Sequence, residues 1–429
     1  MTTLGFFICA HDGISCHYAG AGTAASGYLK GIPVLRKILA RQGMKLSAYA
    51  ITGKYSNPIY GFNEKLLLEN KSICRNTGGD VLFCLNNSNG LFQYGDYSNW
   101  VTASASAATI IDSIITAKRF DRVIILGVDT PFAFTPVYVK KQLLDSKTIV
   151  QGVWVPHSTS LIHERGAFDA KRLEWEMGIV KEINQTKNMF VSYLNSYMQH
   201  HLRIEYGVSE KKLIPLFNGV YIPGVPYFTQ EEILRTIREF NIPSDKQIIF
   251  SFGRGAIYKG FDVFLRALPY LDDLPVHFVL QVAFFSTKDP LLRKLMELSK
   301  PVKNISTIFK LSYEFPRKIL QWKNTELAAV LSQNEPGAFI PAEIRIYGQA
   351  ITLVSDRDGL PCQVNEGNDG FITSINSPRK VADKIRSIFK LSRKRKQEIK
   401  KAGQQKIIRE YDIVKNFVNG ILNLLGKTS

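Results

Sequence analysis

The sequence predicts an α/β protein built as two doubly wound domains, and three observations predict it. Short apolar runs without polar alternation recur along the chain, as in strands buried on both faces of a parallel sheet. Stretches with helical periodicity separate them, the alternation that places helices on both faces of such a sheet. The 429 residues, 45% of them hydrophobic, suffice for two cores of ordinary size. Pro223, Gly224 and Pro226 mark the crossing. The expected domains are 1–222, rejoined by a C-terminal helix over 412–429, and 246–411, with 223–245 as linker.

The totals narrow the function classes. No apolar run reaches the ~18–20 residues of a membrane span, and Met1-Thr2-Thr3 lacks the charged region of a signal peptide, so a cytoplasmic location is expected. Five cysteines, an odd number with no Cys-x-x-Cys pair, suggest neither a disulfide framework nor a zinc site. The net charge of +18 is concentrated: from Arg379 to Glu410, thirteen Lys or Arg stand against three acids. Residues 379–409 are a solvated helix face, or a contact with an acidic acceptor or with an anionic membrane at its inner face. No nucleic-acid motif accompanies them.

In chain order, Leu4 to Ala10 reads as a buried strand, and Gly20-Ala21-Gly22-Thr23 opens a helix that runs to about Gln42 and stops at Gly43. Glycines at such a helix start let backbone amides approach a ligand where the dipole favours negative charge. Gly20-x-Gly22-x-x-Ala25 fits a dinucleotide fingerprint. Nine residues separate it from the strand, however, and the strand Lys45–Ile51 ends in Thr52 rather than an acid for a ribose. Further strands are expected at Val81–Cys84, Arg122–Gly127, Thr148–Val155, Met189–Leu194 and Lys212–Phe217, with helices between them. The segment Asn86 to Trp100 reads as the longest irregular stretch. Its aromatics Phe92, Tyr94, Tyr97 and Trp100 could stack on sugar rings or pack on one another. The helix from Tyr28 to Gln42 sets Lys30, Arg36, Lys37 and Arg41 beside Leu29, Ile32, Leu35, Ile38 and Leu39, a pattern suited to an acceptor at a membrane surface.

Chemistry-bearing residues concentrate at expected strand ends. His157 follows the strand ending at Val155. The strand from Gln247 ends in Gly253-Arg254, with Lys259 five residues on at the mouth of a helix, so two cations are available to a phosphate. Strands at Val276–Ala283 and Ile305–Lys310 come next. After the apolar run Leu327–Leu331, Glu335 and Glu343 are separated by seven residues. Pro336 and Gly337 hold Glu335 in a loop, and Pro341 suits a helix start, which puts Glu343 in that helix's first turn. Carboxylates in such positions can grip the hydroxyls of a ligand that also carries an anion. Asp356-Arg357-Asp358 matches an Asp-x-Asp metal motif but follows a strand in what reads as a structural loop, so no metal is assigned.

Together, Gly253-Arg254-x4-Lys259-Gly260, Glu335-x7-Glu343, His157 and the boundary Leu216-Phe217-Asn218-Gly219-Val220 resemble the retaining glycosyltransferases of family 4, "glycosyl transferases group 1". The resemblance runs from Gly20 to about Phe371. It implies the GT-B fold, two Rossmann-like domains facing a central cleft, and metal-independent transfer of a hexose from a nucleotide diphosphate sugar without a further cofactor. UDP-sugar is the favoured donor and GDP-sugar the next. The acceptor would be a sugar, a lipid-linked glycan or a small natural product. It implies catalytic roles for His157, Arg254, Lys259 and Glu335, and donor contacts from Gly22, Gly253, Gly337, Ala338, Phe339 and Glu343. Acceptor contacts would come from Gly20, Tyr94, Tyr97 and Trp100. Two departures stand out: Ser158 replaces the aspartate usual beside the histidine, and Gly337-Ala338 replaces Phe-Gly. A nucleotide-sugar isomerase of the same fold and a silent nucleotide-sugar-binding partner are the alternatives.

Overall fold

The structure is a computed structural model that describes residues 1–17, 20–54, 61–86, 96–143, 146–164, 170–284 and 286–427. The chain divides into two units, Met1–Tyr221 with Asp412–Ser429, and Ile222–Tyr411.

The first unit is a seven-stranded parallel sheet: β1 (Thr2–Cys9), β2 (Met44–Gly53), β3 (Val81–Cys84), β4 (Arg122–Val128), β5 (Ile149–Val155), β6 (Met189–Tyr193) and β7 (Leu213–Pro215). Their order is β3-β2-β1-β4-β5-β6-β7. The central strands are apolar because both faces are covered: Leu4, Phe6, Phe7 and Ile8 of β1 and Val123 to Leu126 of β4 are all fully buried. The order reverses between β1 and β4. Connections diverge to opposite faces there, leaving a crevice beyond the strands' carboxyl ends.

Two helices of this unit differ from the sequence expectation. Helix Gly20–Arg41 keeps its predicted span, but its apolar face is core: Leu29, Ile32, Leu35 and Leu39 are fully buried. That face is therefore not available to a membrane. Gly27 and Gly31 lie so close to Ile413 and Phe417 of helix Ile413–Gly426 that a Cβ would overlap either side chain. The expected irregular stretch Asn86–Trp100 ends early, because Asp96 caps a helix, Tyr97–Lys118, by accepting from the Ser98 amide at 2.9 Å. By length and composition this helix is apolar enough to cross a membrane. Here Ala103, Ala107, Ile111 and Ile115 pack one side of it into the core.

The second unit has six parallel strands: β8 (Gln247–Arg254), β9 (Val276–Ala283), β10 (Ile305–Ile308), β11 (Thr325–Val330), β12 (Ile351–Ser355) and β13 (Phe371–Thr373). They are ordered β10-β9-β8-β11-β12-β13, so the reversal falls between β8 and β11. Helix Gln230–Glu239, started by a capping box between Thr229 and Glu232, belongs to this unit, and its following Phe240 packs on Phe315 at 4.8 Å between ring centroids.

The basic stretch forms helices Pro378–Phe389 and Arg393–Glu410, and much of its charge is spent inside the unit. Lys396 and Lys400 both pair with the buried Glu326, at 3.2 and 2.7 Å, and Lys406 pairs with the buried Asp369 at 3.3 Å. A buried carboxylate needs such partners to remain charged. Arg379, Lys380, Lys390, Arg393, Lys394 and Lys401 remain exposed.

Candidate active site

The second unit assembles its cations and carboxylates at the reversal of strand order. β8 ends in Gly253, at φ +152°, and Arg254. The chain then turns through a 3-10 segment, Ile257–Lys259, into Gly260 at φ +70°. Gly260 abuts the Leu331 carbonyl just beyond β11, where any Cβ would overlap it. Glycine is required there on both counts, conformation and space. This close approach brings Lys259 beside Glu335, and its Nζ donates to the Glu335 carboxylate. Burial works against the Lys259 charge, yet the neighbouring Glu335 carboxylate prevails and raises its pKa. Arg254 donates from Nη2 to the Tyr258 hydroxyl at 2.8 Å.

The loop carrying Glu335 is fixed from the end of β12. The Glu335 amide donates to Asp358 Oδ2 at 2.9 Å, and the Gly359 amide donates to the Glu335 carbonyl at 2.9 Å. Asp358 adopts φ +49°, a left-handed conformation that aspartate tolerates better than most residues. Gly337 and Ala338 are buried, and Gln363 Nε2 donates to the Ala338 carbonyl at 2.8 Å. Phe339 precedes helix Ile340–Ile346, and Glu343 lies in its first turn, half-buried. Arg345, fully buried, anchors that helix from behind through Asp369 at 3.3 Å and the Pro341 carbonyl at 3.0 Å. Arg254, Lys259, Glu335 and the 337–339 turn thus share one edge of one sheet. Such an arrangement can hold a phosphate and an adjacent polyhydroxyl group.

The first unit gathers a second polar group at its own reversal of strand order. His157 follows β5 and is buried, with both ring nitrogens lacking a protein hydrogen-bond partner. Burial pulls its pKa down to about 4, against the pull of the Asp129 carboxylate and with that of His11. Asp129 follows β4, is buried and takes φ +62°; its Oδ1 has no protein partner. Behind this group, the fully buried Glu176 accepts from the Ser160 amide at 2.9 Å, Tyr206 OH at 2.6 Å, Thr130 Oγ1 at 3.2 Å and Arg172 Nε at 2.8 Å. One carboxylate therefore ties together the segments that follow β4 and β5.

The remaining expected site residues separate into three groups. Gly20 is exposed at its helix start, whereas the space beside Gly22 is taken by the Asp12 carboxyl. That glycine accommodates its own neighbouring loop. Trp100 is a core residue at 1% exposure, packed with Trp175, and so is withdrawn as an acceptor contact; Tyr97 lies edge-on to both tryptophans at the helix start, 41% exposed. Phe92 and Tyr94 lie outside the described residues. Among the described residues, no cluster of three or more His, Cys, Asp or Glu is placed to hold a metal ion.

Asp129 and Glu176 were missed by sequence reasoning, and Asp358 was noticed only as part of an Asp-x-Asp match in a structural loop. Asp129 had a signal, an acid just past an apolar strand, of the same kind that singled out His157. Nothing local tied Asp358 to Glu335, its partner 23 residues away.

Residues 233–406 match the family model "Glycosyl transferases group 1". No curated protein is significantly similar in sequence. Among solved structures, the chain is similar to a glycosyltransferase from Rickettsia africae at 16% identity and TM-score 0.69, covering 99% of each chain. It is similar to sucrose-phosphate synthase from Thermosynechococcus elongatus at 13% identity and TM-score 0.69, covering 99% of this chain and 98% of the other. It is also similar to HepE of Anabaena, solved with UDP-glucose, at 15% identity and TM-score 0.66, covering 99% of this chain and all of HepE. The chain has the GT-B fold of these structures, and its residues 233–406 are similar to the glycosyl transferases of group 1.

Proposed function

We propose that this protein is a retaining, metal-independent hexosyltransferase of family 4 that uses a nucleotide diphosphate sugar, a UDP-sugar before a GDP-sugar, and transfers to an acceptor hydroxyl. The observation that carries the reading is the Lys259–Glu335 pair, with Arg254 on the same sheet edge. A cation for the departing phosphate stands against a carboxylate for the sugar hydroxyls. In the reaction the bond between the anomeric carbon and the β-phosphate oxygen breaks, and the acceptor oxygen bonds that carbon on the same face. The acceptor's proton passes to the departing phosphate.

Positive charge develops on the sugar and negative charge on the diphosphate. Arg254, Lys259 and the amides of Gly337, Ala338 and Phe339 stabilise the diphosphate, and a single preorganised donor of this type is worth ~3–4 kcal/mol. Glu335 holds the sugar hydroxyls and Glu343 the ribose. The UDP preference leans on HepE, which was solved with UDP-glucose. A cytoplasmic location at the inner membrane face, in cell-envelope or natural-product glycosylation, is the setting proposed with it; the exposed lysines and arginines of 379–409 are the contact.

Thermal shift against UDP, GDP, ADP and dTDP and their sugar conjugates tests the donor, because a ligand of the folded state raises stability. A shift with one base, lost in Arg254→Ala, is expected. No shift with any nucleotide would overturn the reading. NMR of the product's anomeric centre tests retention.

A further inference from the structure

The two cations of the second unit are both touched by one tyrosine. Tyr258 stands in the 3-10 segment Ile257–Lys259, four residues after Arg254 and next to Lys259. Its hydroxyl accepts from Arg254 Nη2 at 2.8 Å, and its ring centroid lies 5.2 Å from Lys259 Nζ. The second contact is a cation–π attraction, favourable within about 6 Å.

The backbone of this segment is held at both ends. The Gly255 amide donates to the Ala283 carbonyl at the end of β9 at 2.8 Å, and the Tyr258 carbonyl accepts from the Gln333 amide at 2.6 Å. Gln333 lies two residues before Glu335, to whose carboxylate Lys259 donates. One residue therefore joins the end of β8, both cations and the loop that carries Glu335.

An arginine carries a rigid planar fork of donors on a long, flexible stem. A bond to one of those donors restricts the rotation of the whole fork. The Tyr258 hydroxyl does this as a neutral acceptor, so it does not offset the positive charge as a carboxylate does. Arg172 of the first unit shows the contrast, held between Glu164 and Glu176 at 2.8 Å each.

We infer that Tyr258 is a positioning residue for the diphosphate: its hydroxyl presets the Arg254 guanidinium and its ring steadies the Lys259 ammonium, so that neither cation has to be ordered when the ligand arrives. This inference rests on the transferase reading and deepens it. The cost of ordering one rotamer-rich side chain on binding corresponds to about 3- to 10-fold in affinity.

The test is titration of the full chain with UDP and with UMP, or with the same pair of whichever base the thermal shifts select. NMR detection up to millimolar ligand also reaches the weaker binding of Arg254→Ala. Tyr258→Phe keeps the ring and the backbone contact but has no acceptor. It should weaken the diphosphate about 3- to 10-fold and the monophosphate little, so that the ratio of the two affinities narrows. Tyr258→Leu, which also removes the ring, should weaken the diphosphate further. Added to Arg254→Ala, Tyr258→Phe should change diphosphate binding no more, because the hydroxyl acts through Arg254. A residue that only supported the fold would weaken both nucleotides alike and in both backgrounds. That pattern, or diphosphate binding that is unchanged or tighter in Tyr258→Phe, would overturn the inference while the wild-type protein still binds the diphosphate. If the wild-type protein binds no nucleoside diphosphate, the transferase reading falls and the inference falls with it.

Discussion

The Glu335 amide donates to the Asp358 carboxylate at 2.9 Å, and the residue after Asp358 donates back to the Glu335 carbonyl at the same distance. The acid that looked like half of an Asp-x-Asp motif is thus a clamp on the backbone of a proposed donor-binding residue. Asp358→Gly satisfies the left-handed backbone but removes the acceptor, and should cost about 2 kcal/mol in denaturant unfolding. It should weaken nucleotide-sugar binding more than binding of the bare nucleotide, because Glu335 is proposed to hold the sugar. Asp358→Asn keeps an oxygen for the amide and should recover most of the loss. Equal weakening of both ligands would show that Asp358 only stabilises the fold.

Lys259 and Glu335 should be coupled. Removing either leaves the other buried without its partner, so Lys259→Ala should destabilise the protein by about 3 kcal/mol, and adding Glu335→Gln should return part of that. Because the folded pKa of Lys259 is raised above its ordinary 10.5, its contribution is present throughout neutral pH. It should be lost only as pH rises through the folded value. Urea melts between pH 7 and 11 check both points; additive single-mutant effects would contradict the coupling.

His157 predicts a slope at acid pH. Its folded pKa, about 4, lies below the unfolded 6.5, so its stabilisation is full above 6.5 and declines as pH falls towards and through 4. A histidine is charged more easily in the unfolded chain, which gains on acidification. The effect is on the order of 3 kcal/mol. His157→Gln should flatten the stability profile between pH 4 and 6.5, read by thermal or urea unfolding; an unchanged slope would place the acid sensitivity elsewhere.

Glu176 accepts four hydrogen bonds in the interior of the first unit. Glu176→Leu should destabilise by about 3–5 kcal/mol, since the buried Arg172 loses one of the two carboxylates it pairs with. Glu176→Gln, which retains one acceptor, should cost less and should leave UDP binding, assigned to the second unit, unchanged. A calorimetric titration with UDP alongside the melt separates the two effects.

The strands, and the candidate site residues just past their ends, were legible in the amino-acid order alone. Buried parallel strands are apolar on both faces, so β1, β4, β8 and β11 are visible as uninterrupted runs, and the residues just past a strand lie at the ligand edge. His157, Arg254, Lys259 and Glu335 were found in that way. Which of these touch, and which groups hold them, depended on long-range packing. Lys259 meets Glu335 because Gly260 packs on the Leu331 carbonyl, a contact between strand ends about 70 residues apart that no local pattern encodes. The apolar face of helix Gly20–Arg41 has the same periodicity whether it faces lipid or core, and packing against Phe417 and the sheet settled that it is core. Charge obeyed the same rule. Composition counted every lysine between 379 and 409, but the partners Glu326 and Asp369, far away in sequence, decided that Lys396, Lys400 and Lys406 turn inward.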